Sequence, residues 1–199
     1  MELYPDDPAQ GIPLNTGSER FAEKGWQYKR VAAIVGDVFY HAPRLDDARA
    51  YARYAPTYVY RFNTRPLAGY GNTDFNGTSS WDGGGNATVM LAPAYKGVAH
   101  FSEVAFVFAN PAAAGPWEGY RDLSDQMSER WIRFANTGEP NGGRKEKGLL
   151  PRWPRYDEGE KGYNLVFQTE RQGGIHVEED TYRLEGREYL TKWARRRHV

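Results

Sequence analysis

The sequence predicts an α/β fold, because segments with a helical period alternate with short β-branched and aromatic segments. Its 199 residues are enough for one domain with a hydrophobic core, or for part of a larger one. The predicted helices cover residues 23–40, 44–54, 120–136 and 181–196, and the predicted strands cover residues 57–62 and 163–167.

The first helix is indicated by apolar residues that recur at helical spacing, namely Val31, Ile34, Val35, Val38 and Phe39. We expect this helix to end before Pro43 and a second helix to start there, since proline is favourable only in a first turn. Asp37 lies among the apolar positions, and a carboxylate in such a place requires a partner. Arg61 or Arg65 is expected to supply it, which gives Asp37 a structural role.

Residues 66–98 predict a long flexible loop, because they are rich in Gly, Asn, Ser and Thr and show no periodicity. The loop holds two sequons, Asn76-Gly77-Thr78 and Asn86-Ala87-Thr88. If the protein is secreted, Asn76 and Asn86 are candidate glycosylation sites.

In the second half of the chain, one apolar helix face predicts a core contact, formed by Leu123, Met127, Trp131, Phe134 and Ala135. Gly138 and Pro140 then end this helix. The apolar run of residues 104–108 is expected to be buried, and Trp153 is expected to reach the core from a turn. His176 is placed in a polar turn.

Composition excludes several classes of function. The net charge is zero, so nothing indicates a nucleic-acid partner. No cysteine is present, which removes disulfides, thiolate zinc sites and cysteine nucleophiles from these residues. No histidine pair has metal-ligand spacing, so we expect neither a metal nor another cofactor. No apolar run has the length of a transmembrane segment, and the N-terminus lacks the features of a signal peptide.

His100 is the candidate catalytic residue, because it follows the long loop and histidine is the usual proton carrier near neutral pH. No Gly-x-Ser-x-Gly sequence occurs to give it a serine nucleophile. Glu103 could pair with His100, or it could be a buried carboxylate that accepts hydrogen bonds from neighbouring backbone, and we favour the second interpretation. His41 is assigned a capping or packing role.

Several motifs, in order along the chain, resemble the type-B carboxylesterases, a family that includes cholinesterases and fungal lipases. The segment Gly97–Phe108 resembles the histidine segment of that family, and Tyr58–Asn63 is similar to its strand before the histidine. The other similar segments are Tyr4-Pro5, Gly36-Asp37-x-Phe39, the helix and Thr-Gly-x-Pro-Asn turn of residues 131–141, and Trp153-Pro154.

The resemblance implies an α/β-hydrolase fold, of which residues 1–199 form the C-terminal portion, with an incomplete central sheet and flanking helices. His100 would be the histidine of a Ser–acid–His triad, with Glu103 and Asp37 as structural support near the site. The serine, the oxyanion loop and the acid would belong to an N-terminal part that the chain needs for activity. We therefore expect an exposed strand edge and unburied helix faces.

The resemblance implies that the complete protein hydrolyses a carboxylic ester or lipid and is secreted. The expected function of the chain is that of a C-terminal fragment of a serine carboxylic-ester hydrolase, inactive alone. The alternative is a non-catalytic binding or adhesion module, since some relatives in the family act in that way.

Overall fold

A computed structural model describes residues 2–11, 17–66, 92, 94–110, 117–142 and 151–196 of the chain. Asn76, Asn86 and nearly all of the predicted loop lie outside these residues. Contacts between Cα atoms divide the chain into two compact units. The helical unit comprises Met1–Val59, Arg155–Tyr163 and Glu179–Val199, and the sheet unit comprises Tyr60–Pro154 and Asn164–Glu178.

The described residues contain five α-helices and three strands. The helices are α1 (Tyr28–Gly36), α2 (Ala42–Tyr51), α3 (Val104–Val107), α4 (Glu118–Thr137) and α5 (Leu184–Arg196). The strands are β1 (Val59–Phe62), β2 (Tyr163–Phe167) and β3 (His176–Glu179), in the sheet order β1-β2-β3. A π-helix spans Asp37–His41, and single 3₁₀ turns span Ala22–Lys24, Ala94–Lys96, Tyr156–Glu158 and Glu170–Gln172.

In the helical unit, α1, the π-helix and α2 follow one another without a break, so the predicted helix end before Pro43 is wrong. Pro43 lies in the first turn of α2, directly after the π-helix. Because the π-helix changes the hydrogen-bond register, with the Ala42 amide donating to the Asp37 carbonyl, proline's missing amide hydrogen does not stop the helix there.

Two fully buried carboxylates organise the helical unit. Arg183 binds Asp37 through two hydrogen bonds of 2.7 and 2.6 Å, and the Tyr4 hydroxyl donates to Asp37 at 2.8 Å. The prediction that Asp37 has a structural partner is confirmed, but Arg61 and Arg65 are the wrong choice. Arg61 and Arg65 are nearer to Asp37 along the sequence, whereas the fold brings in Arg183 from the far end of the chain.

Asp180 is the second buried carboxylate, and three donors surround it. Arg44 binds Asp180 at 2.7 Å and Arg187 at 2.9 Å, while the Tyr156 hydroxyl donates at 3.0 Å. Arg187 is itself completely buried. The network joins α2, the turn at Tyr156 and α5, so it ties together parts of the unit that are distant in sequence.

Much of the apolar residue set that predicted α1 is on the surface. Val31 is 55% exposed, Val35 46% and Phe39 68%. The helical spacing therefore does correspond to a helix. The apolar face that it forms is exposed, because no described residue covers it. This agrees with the expectation of unburied helix faces.

In the sheet unit, the sheet is short, and β1 and β3 are its edges among the described residues. Strand β2 has the bounds that the sequence predicted, because its apolar residues are buried in succession. His176 begins β3 rather than a polar turn. Across β2, Arg61 pairs with Glu178 through two hydrogen bonds of 2.7 Å, and this pairing stabilises both edge strands.

The core of the sheet unit lies against α4, where Leu123 and Met127 are buried as predicted. Trp153 is also buried. Phe134 was predicted to contact the core, but it lies in the last turn of α4 and is 46% exposed. Of the apolar run at residues 104–108, Ala105 and Phe106 are buried and Phe108 is 77% exposed. The run was predicted to be buried throughout, but it forms the short helix α3, whose two sides differ in exposure.

Candidate active site

His100 lies in a chain of tight turns between the 3₁₀ turn at Ala94–Lys96 and α3. Gly97 has a φ of 56°, which allows the chain to reverse after that 3₁₀ turn. The Ser102 amide then donates to the Ala99 carbonyl at 3.2 Å, so His100 occupies the second position of a turn. The imidazole is on the surface, where it can meet a substrate or another protein group.

Phe101, directly after His100, has the left-handed φ of 76°. A residue with a side chain is strained in this region, and such strain concentrates at functional sites. The Phe101 ring is 62% exposed and lies with its centroid 6.3 Å from that of the His100 ring. Packing of the Phe101 ring therefore does not explain the backbone conformation. Phe101 is the third residue of the Ala99–Ser102 turn, and a positive φ at that position is the geometry of a type II turn.

Glu103 ends the turn and precedes α3. The Tyr60 hydroxyl of β1 donates to the Glu103 carboxylate with an O–O distance of 3.2 Å. Burial and the negative charge of Glu103 both raise the pKa of Tyr60, so the phenol remains a donor at neutral pH. Among the described residues, the hydrogen-bond partner of the Glu103 carboxylate is thus a side chain from a strand, not the neighbouring backbone that the sequence favoured.

Sequence reasoning placed Tyr60 only as a strand residue and missed its contact with Glu103. A signal is present, since the period of two in residues 57–62 puts Thr57, Val59 and Arg61 on one face and Tyr58 and Tyr60 on the other. The alternation of faces in β1 does not predict that the Tyr60 side chain contacts the turn that contains Glu103.

The candidate residues divide between the two units. His100 and Glu103 lie in the sheet unit, and Asp37 lies in the helical unit, where Arg183 and Tyr4 bind it. Within the sheet unit, His100 and Glu103 lie three positions apart in the same run of turns, and the Glu103 side chain accepts a hydrogen bond from Tyr60 of β1.

Among the described residues, no group of three or more His, Asp or Glu side chains could hold a metal ion. In the same part of the chain, no helix is both long enough and apolar enough to cross a membrane.

A sequence model of the carboxylesterase family matches residues 15–184, which include His100, Glu103, Tyr60 and Asp37. The chain therefore belongs to the carboxylesterase family, whose fold is the α/β hydrolase. The described helices and three-stranded sheet are consistent with part of that fold, as the sequence predicted.

The chain is similar to several curated carboxylesterases. It is 38% identical to Carboxylesterase 4A of Bos taurus over 81 residues, which cover 40% of this chain and 14% of that protein. It is 30% identical to Carboxylesterase 5A of Mus musculus over 140 residues, covering 66% of this chain and 20% of that protein. It is 26% identical to the medium-chain fatty acyl-CoA hydrolase precursor of Anas platyrhynchos over 145 residues, covering 72% of this chain and 22% of that protein.

The matched part of the chain thus spans 14% to 22% of the length of these relatives. Membership of the family relates the chain to ester hydrolases and indicates ester substrates for the family as a whole.

Proposed function

We propose that this protein contributes the proton-transferring histidine, His100, to a serine carboxylic-ester hydrolase. The observation that carries the proposal is the position of His100, which is exposed on a strained turn within the segment that matches the carboxylesterase family. A functional histidine must reach its reactants while its backbone is held still, and this turn provides both properties.

The chemistry follows from the two nitrogens of the imidazole. In its neutral form His100 accepts the proton of a serine hydroxyl as the serine oxygen bonds to the ester carbonyl carbon. The imidazolium then gives that proton to the alkoxide as the bond between carbon and the leaving oxygen breaks. Hydrolysis of the acyl-enzyme repeats these steps with water in place of serine, which returns His100 to its neutral form.

A serine hydrolase also needs a serine nucleophile, an acid that orients the histidine and oxyanion donors, and these 199 residues contain no Gly-x-Ser-x-Gly. In the proposal these groups come from polypeptide that corresponds to the upstream part of the relatives, so the chain acts as the C-terminal portion of the hydrolase. Because a lone histidine keeps only a small fraction of the catalysis of an intact triad, the chain alone should not be an efficient esterase.

We infer a carboxylic ester or lipid ester as the substrate, from the family and from relatives whose names include carboxylesterase and fatty acyl-CoA hydrolase. We also propose that the complete protein is secreted and carries glycans on Asn76 and Asn86. A mobility shift after glycosidase treatment of secreted protein, lost in the double Asn→Gln variant, tests the glycan assignment.

A chimera tests the role of His100. The segment of mouse Carboxylesterase 5A that matches this chain is replaced by the chain, and hydrolysis of p-nitrophenyl butyrate is measured. We expect turnover that His100→Gln lowers by about 10⁴-fold or more, as for removal of a triad histidine. The control is His176→Gln in β3, whose Nδ1 lies 3.1 Å from the Gly174 carbonyl oxygen and which should change turnover by less than about threefold.

Turnover by His100→Gln at the level of the control would contradict the proposal. A folded chimera without turnover would contradict it as well and would favour the alternative, a non-catalytic binding or adhesion module.

A further inference from the structure

We propose that Tyr60 is a positioning residue for His100, because its phenol holds the Glu103 carboxylate and thereby the turn that carries the histidine. The inference rests on the proposed function of His100 and adds a second residue of the same site. It assigns to β1, which the sequence marks only as a strand, a part in aligning the proton carrier.

Glu103 is rigidly coupled to His100 through the backbone. Its carbonyl accepts the amides of Phe106 at 2.9 Å and Val107 at 3.0 Å, which fixes the start of α3. On its other side, the amide of Ser102 donates to Ala99, which closes the turn around His100. With both ends hydrogen-bonded, a displacement of Glu103 also displaces His100.

Tyr60 is held in place by aromatic packing. Its ring meets Trp131 edge to face with centroids 4.9 Å apart, and it also lies 6.3 Å from Trp153 and 6.2 Å from Phe167. Trp153 and Phe167 are buried. Three residues after Tyr60, the Asn63 backbone amide donates to the Phe167 carbonyl at 2.8 Å, which joins the end of β1 to β2. The hydroxyl therefore has little positional freedom, and it is a suitable fixed point for a loop.

The contact between the two side chains suits this role. The negative charge of a carboxylate strengthens the hydrogen bond that a neutral phenol donates to it. The O–O distance of 3.2 Å is longer than the usual range of about 2.5–3.0 Å, so this bond has moderate strength. A misplacement of about 1 Å at a reacting group can cost about 10²-fold in rate. Loss of the Tyr60 hydroxyl should therefore act on turnover through the position of His100.

The test compares two variants that each remove one hydroxyl and keep the ring. Tyr60→Phe removes the bond to Glu103. Tyr120→Phe is the matched control in the same unit, because its hydroxyl donates to the Arg65 carbonyl at 2.5 Å. Both proteins are checked for a native near-ultraviolet circular dichroism spectrum.

The first readout is made on the full chain alone and does not depend on catalysis. We expect the amides of Ser102 and Val104 to exchange hydrogen at least about tenfold faster in Tyr60→Phe than in the unaltered chain, because the turn opens locally. In Tyr120→Phe these amides should exchange within about twofold of the unaltered rate. Equal exchange in Tyr60→Phe and the unaltered chain would overturn the positioning role.

The second readout uses the chimera. Tyr60→Phe should lower kcat by about 10- to 100-fold with KM unchanged, since the alignment of a reacting group is lost rather than substrate binding. Glu103→Gln keeps an oxygen acceptor and should retain more turnover than Glu103→Ala. These two variants probe the same contact from its other side and keep the test decisive if Tyr60→Phe fails to fold.

The outcomes separate the two proposals. Unchanged kcat in Tyr60→Phe beside an inactive His100→Gln would overturn the positioning role and leave the proposed function standing. Full turnover in His100→Gln would overturn the proposed function, whatever the Tyr60 variant does.

Discussion

Phe101 is the residue whose conformation says most about the site. A side chain at a φ of 76° costs on the order of 1–2 kcal/mol relative to ordinary backbone. The exposed Phe101 ring recovers little of that energy by packing. The fold therefore holds this conformation at a cost, immediately next to His100.

The strain at Phe101 predicts an unusual order of stability between two variants. Phe101→Gly should have a free energy of unfolding about 1 kcal/mol higher than Phe101→Ala, since glycine adopts a positive φ without strain. At the exposed Phe108, which has an ordinary φ of −88°, the order should be reversed, with alanine more stable by about 0.5–1 kcal/mol. Urea unfolding measures all four variants, and the same order at both positions would show that Phe101 is not strained.

His41 should make the free energy of unfolding depend on pH. Burial lowers the pKa of His41 from 6.5 to about 4, opposed by the charge of Asp37 and assisted by Arg183, Arg44 and Arg187. Because the unfolded chain binds this proton between pH 6.5 and 4 and the folded chain does not, stability should fall as the pH drops through that range, by up to about 3 kcal/mol. His41→Gln should flatten this part of the stability profile, and an unchanged slope would refute the assignment.

At the scale of elements, helix α4 shows how well local signals work when packing supports them. The sequence predicts residues 120–136 and a stop at Gly138, and the helix spans Glu118–Thr137 with Gly138 at its end. The Gly138 amide donates to the Phe134 carbonyl, and its φ is 72°, so the predicted stop has the expected left-handed geometry.

Gly119 within α4 and Gly138 at its C-terminal end should respond in opposite ways to replacement by alanine. Gly138→Ala should lower the free energy of unfolding by about 1 kcal/mol, because its Cβ meets open space and only the positive φ resists it. Gly119→Ala should raise it by about 0.5–1 kcal/mol, since this position is helical and the nearest atom to the added Cβ is 3.9 Å away. Thermal and urea melts of both variants check the pair, and destabilisation of similar size in both would contradict the argument.

The errors at this scale have identifiable physical causes. Proline rules predict a break at Pro43, but a π-helix is a change of register that short-range propensity does not encode. His176 lies in a polar, glycine-flanked segment that resembles a turn, yet pairing with β2 makes it the start of a strand. Both outcomes depend on neighbours that lie outside the local window.

For the whole molecule, the important contacts join segments that are far apart along the chain. Asp37 and Arg183 are separated by 146 positions, and Arg44 and Asp180 by 136. Each buried carboxylate is bound by arginine and tyrosine donors, which offset the cost of removing its charge from water. No spacing rule connects such residues before the fold is known.

Removal of one buried charge should have a much larger effect than removal of an exposed one. Asp180→Ala should cost about 3–5 kcal/mol, because it leaves the buried Arg187 and the half-buried Arg44 without their carboxylate. The exposed pair of Asp46 and Arg195 provides the control, and Asp46→Ala should cost about 0–1 kcal/mol. Urea unfolding followed by circular dichroism compares them, and equal losses would show that Asp180 is not the organising charge.

The sequence by itself determined the family, the α/β class, the helix and strand of clearest period, and His100 as the candidate proton carrier. These follow from ordered motifs and local periodicity, which a linear chain displays directly. Only the tertiary structure decided that Arg183 binds Asp37, that Phe101 is strained and that Tyr60 reaches Glu103. Such facts depend on which distant side chains the fold brings within hydrogen-bonding distance, and hydrogen bonds act over about 3 Å of space rather than along the sequence.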